Sequence, residues 1–257
     1  MKTGFYGLSP MLDEMMENRI FREGTVDYVL QDRAEQLDKE NISRLYTPPV
    51  TENFQFNKLR NQRPLLAGIA DSIVTPDMSG LEKVHAVSAF TTGMAAQYPI
   101  PHEPNEKAYP SADSYFWGGT EEILITKGTD WCGEVARVFC ALTQMLGIPS
   151  RIIYTYSDED GHVINECFVD GKWLLVDSTV NIVYAKDGEW YNAGMLFLDK
   201  APVEKFAAER DWFYCAPKFF KYVAISEYAL ADASEYSYRI SFCNDYYRKA
   251  LSMWNNE

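Results

Sequence analysis

The chain has 257 residues, of which 47% are hydrophobic and 14% aromatic, which is ample for a packed core and argues against disorder. Its formal net charge is −13 and no cluster of Lys and Arg occurs, so a nucleic-acid-binding surface is not expected. The acidity indicates a soluble protein with a weak preference for neutral or cationic partners.

Five cysteines stand at no recognisable disulfide spacing, and there is no CxxC motif. No apolar stretch is long enough to span a membrane, and the first residues lack the hydrophobic run of a signal peptide. These features predict a reduced, cytoplasmic protein without a membrane partner, although secretion through a removed leader stays open.

The segment before the first cysteine contains two predicted helices and a long loop. Val26 to Leu37 carries a helical pattern, and Ser79-x-x-Glu82 is a capping box that starts a second helix ending near Ala96. Four prolines between Pro99 and Pro110 predict a loop. Loops of this length are often functional, so this one is a candidate wall of a substrate cleft.

A buried helix is predicted to start at Asp130 or Thr129 and to close at Gly147, with Pro149 just beyond it. Its apolar stripe consists of Val135, Val138, Phe139, Leu142, Met145 and Leu146. Cys132 lies in the first turn, where the helix dipole and free backbone N–H groups favour a negatively charged thiolate. This is a suitable position for a cysteine nucleophile.

Three strands are predicted after Pro149, at Arg151–Ser157, His162–Val169 and Lys172–Asp177. Asp170-Gly171 predicts a two-residue type I′ hairpin between the last two.

That turn fixes a strand register. If Val169 pairs with Lys172, then Phe168 faces Trp173, Glu166 faces Leu175 and Ile164 faces Asp177. His162 then shares a sheet face with Asp177 as its diagonal neighbour, at a backbone distance of about 7–8 Å that the two side chains can bridge.

Cys132, His162 and Asp177 therefore form a candidate thiol triad, in which the base takes the thiol proton and the carboxylate orients the imidazole. Of the other two histidines, His102 is expected in the proline-rich loop and His85 in a packing role on a helix. No paired-ligand spacing supports a metal site, and no calcium-loop pattern occurs.

The remaining chain predicts a hairpin around Lys186-Asp-Gly188, followed by helices. The helical segments are Pro202–Trp212, Lys218–Ala233 and Tyr238–Trp254. The expected organisation is a single domain over residues 1–257: a mostly helical N-terminal collar at 1–71, a catalytic core at 72–198 and a C-terminal helical extension at 199–257.

Several motifs together resemble the transglutaminase-like superfamily. They are Cys132-Gly-Glu-Val-Ala, Leu146-Gly-Ile-Pro-Ser-Arg151, His162-x-x-Asn-Glu166 and Asp170-Gly-Lys-Trp-x-x-Val-Asp177. The resemblance implies an α+β, papain-like fold and a Cys-His-Asp triad at Cys132, His162 and Asp177. Two positions depart from the family pattern: Ile164 replaces a frequent aromatic residue, and Ser178 replaces a proline.

These observations predict acyl transfer through a Cys132 thioester on a peptide or protein substrate, from a peptide or glutamine-type amide. His162 would act as general base and then as acid, and no cofactor or metal is required. The Cys132 backbone N–H and the indole N–H of Trp117 or Trp131 are candidate oxyanion donors. Hydrolysis is favoured, because no segment is typical of a channel for an amine acceptor.

Four alternatives remain open: protein-glutamine amine transfer, an arylamine N-acetyltransferase, a peptide N-glycanase, and a non-catalytic peptide-binding module on the same fold. In arylamine N-acetyltransferases the catalytic cysteine usually follows Arg-Gly-Gly, whereas Cys132 follows Thr-Asp-Trp. The paired Cys motifs that commonly accompany peptide N-glycanases do not occur in this sequence. The intact triad argues against a non-catalytic peptide-binding module.

Overall fold

The computed structural model describes residues 35–49, 60, 64–97, 121, 125, 132–158, 161–210 and 217–226. Its α-helices are α1 (Ile42–Leu45), α2 (Pro64–Ile73), α3 (Gly80–Gln97), α4 (Cys132–Met145), α5 (Ala193–Leu198) and α6 (Ala201–Arg210). Its strands are β1 (Glu35–Gln36), β2 (Ser150–Tyr156), β3 (Gly161–Val169), β4 (Lys172–Asp177), β5 (Ile182–Val183), β6 (Ala185–Lys186), β7 (Glu189–Trp190) and β8 (Tyr222–Ser226). A 3-10 helix at Pro217–Phe220 precedes β8.

Six of these strands form one antiparallel sheet in the order β1-β8-β2-β3-β4-β5. Asp170 and Gly171 both have positive φ, 51° and 79°, as a type I′ turn requires. The predicted register is confirmed from the Val169–Lys172 pair onward, and the β3–β4 ladder runs as far as Asn165 opposite Val176. The second predicted hairpin is confirmed as β6 and β7, again with positive φ at Asp187 and Gly188.

Helix α4 is the centre of the core on one face of the sheet. Every residue from Glu134 to Met145 is buried, because α2 and α3 cover the sides of α4 that the sheet leaves open. The predicted stop is confirmed: Gly147 has φ 79°, Ile148 N–H donates to the Thr143 carbonyl and Gly147 N–H to that of Gln144. This is the Schellman pattern, which satisfies the last carbonyls of a helix.

The predicted capping box is confirmed at the start of α3. The Glu82 N–H donates to the Ser79 hydroxyl at 3.3 Å, and the Ser79 N–H donates to the Glu82 carboxylate at 2.7 Å. These reciprocal bonds satisfy free donors of the first turn, and they fix where the helix that covers α4 begins.

The other face of the sheet carries a second core, built by elements from both outer segments of the chain. Its buried residues come from the sheet, α5, α6 and the 3-10 helix and include Tyr184, Val203, Phe206, Phe219 and Phe220. The sheet thus lies between two helical layers, an α+β architecture as predicted.

Two helical predictions in these outer segments are wrong. Lys218–Ala233 is not a helix throughout, because strand β8 (Tyr222–Ser226) pairs with both β1 and β2. Val223 and Ile225 alternate into the second core, so pairing and burial override the local pattern. The predicted helix Val26–Leu37 likewise contains strand β1 in the part that the structure describes. The boundaries 1–71, 72–198 and 199–257 stay predictions.

A buried ion pair ties the N-terminal segment to this sheet. Arg151 on β2 contacts the carboxylate of Glu166 on β3 at 2.7–2.8 Å, and both side chains are at most 5% exposed. The same carboxylate accepts hydrogen bonds from the Tyr46 hydroxyl and the Ala193 N–H. Arg151 also donates to the Leu45 carbonyl. Glu166 therefore holds the N-terminal segment, β2, β3 and the start of α5 together.

Glu166→Gln is expected to lower the free energy of unfolding by about 3–5 kcal/mol, because it leaves the Arg151 guanidinium buried without its counter-charge. Urea denaturation measures this change. Glu209→Gln is the matched control, since the Glu209 side chain is 58% exposed in its ion pair with Lys186 and exposed pairs contribute at most about 1 kcal/mol. Equal effects of the two substitutions would contradict a stabilising role for the Glu166 network.

Candidate active site

His162 and Asp177 meet at one end of the sheet. His162 is the second residue of β3 and Asp177 the last residue of β4, and the two strands are antiparallel neighbours. The His162 Nε2 and Asp177 Oδ2 atoms are 2.8 Å apart, with the side chains 3% and 0% exposed. Because the pair is shielded from water, each group acts strongly on the other.

Cys132 is placed beside this pair by helix α4. It is the first residue of the helix and is only partly buried. A Cβ atom on the next residue, Gly133, would lie 3.9 Å from the Val163 side chain, so the helix starts against the beginning of β3. The Cys132 sulfur is a hydrogen-bond partner of His162. Since Nε2 is bonded to Asp177, Nδ1 is the ring nitrogen left for the thiol.

The charge state of His162 follows from these contacts. Burial by itself lowers the pKa of His162, but the Asp177 carboxylate, as charge and hydrogen-bond partner, and the Cys132 sulfur together raise that pKa to about 10. At neutral pH the imidazole therefore carries a proton between two acceptors. Such a site can pair a thiolate with an imidazolium, the reactive form of thiol nucleophiles.

The other described cysteines occupy the core, as predicted. Cys140 and Cys167 are both fully buried. Burial raises the pKa of Cys140 to about 12 and that of Cys167 well above its ordinary value. Both therefore stay neutral thiols, and only Cys132 combines access with a basic neighbour in the part of the chain that the structure describes.

Several predicted residues lie elsewhere or cannot be placed. Trp117 and Trp131, the candidate oxyanion donors, lie outside the described residues, as do His102, Cys215 and Cys243. His85 is exposed on α3, so the expected packing role is wrong for this residue.

The two departures from the family pattern have different surroundings. Ile164 is 1% exposed and pairs with Ile153 in the second core. An aliphatic side chain thus fills the core position where the family often has an aromatic one. Ser178 directly follows Asp177, is fully buried, and its hydroxyl donates to the Asn165 Oδ1 at 2.7 Å.

No role for Asn165 was predicted from the sequence. The signal was a polar residue that shares one face of β3 with the apolar Val163 and Cys167, because a buried polar residue requires hydrogen-bond partners.

Within the described ranges, no group of three or more His, Cys, Asp or Glu side chains could hold a metal ion. Nor does any helix in those ranges have the length and apolar character needed to cross a membrane.

A cysteine at the start of a buried helix, facing a His and an Asp on neighbouring antiparallel strands, defines a papain-like α+β arrangement. Residues 67–178 match the model of the transglutaminase-like superfamily. This match spans Cys132, His162 and Asp177, and it confirms that this part of the chain resembles the superfamily.

The structure is also similar to a candidate cysteine protease from Cytophaga hutchinsonii. Sequence identity is 21%, the match covers 57% of this chain and 44% of the other, and the TM-score is 0.33. The chain thus spans less than half the length of that protein, and a similarity at this level carries no argument about activity. No curated protein matches the chain.

Proposed function

We propose that the protein is a thiol-dependent acyl-transfer enzyme that cleaves a peptide or glutamine-type amide and transfers the acyl group to water. The observation that carries this proposal is the chain of contacts from Cys132 through the His162 ring to Asp177, 2.8 Å from that ring. A non-catalytic binding module has no need of a protonated imidazole buried between a thiol and a carboxylate.

The first half-reaction forms the thioester. The Cys132 thiolate attacks the amide carbonyl carbon, and a C–S bond forms as the carbonyl π electrons move to oxygen. When the tetrahedral intermediate collapses, the C–N bond breaks and His162 donates its proton to the departing nitrogen. The pKa of His162, about 10, means that this proton is in place before the substrate arrives.

The second half-reaction releases the acid. His162, now neutral, takes a proton from water as the water oxygen attacks the thioester carbon. The C–S bond then breaks, and the thiolate and imidazolium are restored. Asp177 holds the ring in one orientation throughout and stabilises its charged form.

Hydrolysis is favoured over amine transfer because transfer requires a site that binds an amine and keeps water out. No segment of the sequence indicates such an acceptor site, and solvent water is in large excess. The acidic net charge of −13 is spread over the protein and is a weak argument for capturing lysine side chains.

Product partitioning tests this choice. A glutamine-containing or activated peptide is offered with a primary amine at rising concentration, and the acid and amide products are measured by mass spectrometry. We expect acid to dominate even at millimolar amine, and both products to vanish in Cys132→Ala. Amide as the main product at millimolar amine, with acid barely detected, would mean that the enzyme is a transferase.

A further inference from the structure

A buried polar network joins the three elements that carry the candidate triad. Its centre is Asn165 on β3, which is fully buried. The Asn165 Nδ2 donates to the Ala136 carbonyl on α4 at 2.9 Å and lies 3.3 Å from the Cys140 sulfur on the same helix. Asn165 therefore connects the strand of His162 to the helix that begins with Cys132.

The other end of the Asn165 amide reaches the residue next to Asp177. Its Oδ1 accepts the Ser178 hydroxyl at 2.7 Å. The Ser178 carbonyl in turn accepts the hydroxyls of Thr91 and Thr92 on α3, both at 3.0 Å. Ser178 is thus held by its side chain and by its backbone, so the chain is fixed one residue beyond the carboxylate that contacts His162.

The carboxylate of Asp177 has its own local support. Its Oδ1 accepts the Thr179 N–H at 3.1 Å, while Oδ2 contacts His162. Because Thr179 follows Ser178 directly, any movement of Ser178 displaces the donor that orients this carboxylate. The length of the Asp177–His162 contact therefore depends on where Ser178 is held.

We propose that Asn165 and Ser178 are positioning residues, which align the Asp177–His162 pair with the helix that carries Cys132. The proposal rests on the proposed function, since it assigns a role in preparing the same thiol for reaction. Neither residue touches the reacting atoms. They fix the helix that carries Cys132, the strand that carries His162 and the strand end at Asp177 relative to one another. Catalysis requires the distances between these groups to be correct within a fraction of an ångström.

The test uses Ser178→Ala, which removes one hydroxyl and little volume. Ser150→Ala is the matched control. Ser150 is also fully buried, and its hydroxyl bonds to α4, donating to the Cys140 carbonyl and accepting from the Thr143 hydroxyl, but neither partner lies next to a triad residue in the chain. Ser178→Ala loses one buried hydrogen bond and Ser150→Ala loses two, so a merely structural role predicts an effect of Ser150→Ala at least as large as that of Ser178→Ala.

The readout is the alkylation of Cys132, followed by peptide mapping, with iodoacetate and iodoacetamide across a range of pH. Iodoacetate is an anion that the imidazolium attracts, so the ratio of the two rates falls when His162 loses its proton. We expect the rate ratio to fall near pH 10 in the wild type, where the pKa of His162 is about 10, and in Ser150→Ala. In Ser178→Ala we expect the ratio to fall about one pH unit lower, which is a tenfold change in the proton affinity of His162. The reason is that an Asp177 carboxylate held less firmly stabilises the imidazolium less.

If Ser178→Ala does not fold, the double variant Thr91→Val and Thr92→Val removes both hydroxyls from the Ser178 carbonyl and is read in the same way. The positioning role would be overturned if the ratio of the two alkylation rates fell at the same pH in the wild type, the control and the folded variant. Slow labelling of Cys132 already in the wild type would contradict the proposed function, and the positioning role with it.

Discussion

Replacing Cys132 by alanine is expected to abolish turnover while leaving the fold intact. Removing the nucleophile of a catalytic triad lowers kcat by about 10⁴-fold or more, because the other members act only through it. Cys132 is partly exposed at the first position of α4, so its thiol leaves little cavity. Release of nitrophenol from an activated ester gives the activity, and thermal unfolding gives the stability.

Cys140→Ala is the matched control for this prediction. Cys140 lies on the same helix but is fully buried, so its loss is expected to lower the melting temperature and to leave kcat within a few-fold of the wild type. The reverse pattern, with turnover surviving in Cys132→Ala and vanishing in a folded Cys140→Ala protein, would remove Cys132 from the mechanism.

Asp177→Asn is expected to lower kcat by about 10²–10⁴-fold with little change in KM, as loss of the orienting carboxylate does in other triads. The substitution also removes the Asp177 charge, the largest of the contributions that raise the pKa of His162 to about 10. The imidazole of the variant then loses its proton at lower pH. Since the protonated ring is the acid that releases the amine, activity on the alkaline side is lost at lower pH than in the wild type.

The kcat–pH profiles of the wild type and of Asp177→Asn measure both effects. Asp199→Asn is a suitable control, because the Asp199 carboxylate is exposed and accepts only the Ala201 N–H among the bonds that the structure describes. We expect its profile to match the wild type. Full activity of Asp177→Asn with an unchanged alkaline limb would reduce the site to Cys132 and His162.

The juxtaposition of His162 and Asp177 could be predicted from the sequence because it depends on local rules. Asp170-Gly171 permits one tight turn, the turn fixes the register, and the alternation of side chains then decides which residues share a face. The stop of α4 at Gly147 follows from the same kind of short-range chemistry, whereas the predicted N-caps, Asp130 and Thr129, lie outside the described residues.

The rest of the fold depends on contacts between distant parts of the chain. Strand β8 is a strand because β1 and β2 offer it hydrogen-bond partners, and its sequence pattern alone does not distinguish it from a helix. Glu166 is bonded to Tyr46, 120 residues away. Asn165 stands inside a recognised motif, but its partners Ala136 and Ser178 lie on other elements.

Trapping the acyl-enzyme and locating its acyl group is the most direct test of Cys132 as the nucleophile. The wild type is mixed with an activated ester, quenched in acid to preserve a thioester, digested and mapped by mass spectrometry. We expect one added acyl group on the peptide that contains Cys132, and none in Cys132→Ala. An acyl group on any other residue with Cys132 unmodified, or undiminished hydrolysis in Cys132→Ala, would contradict a Cys132 thioester.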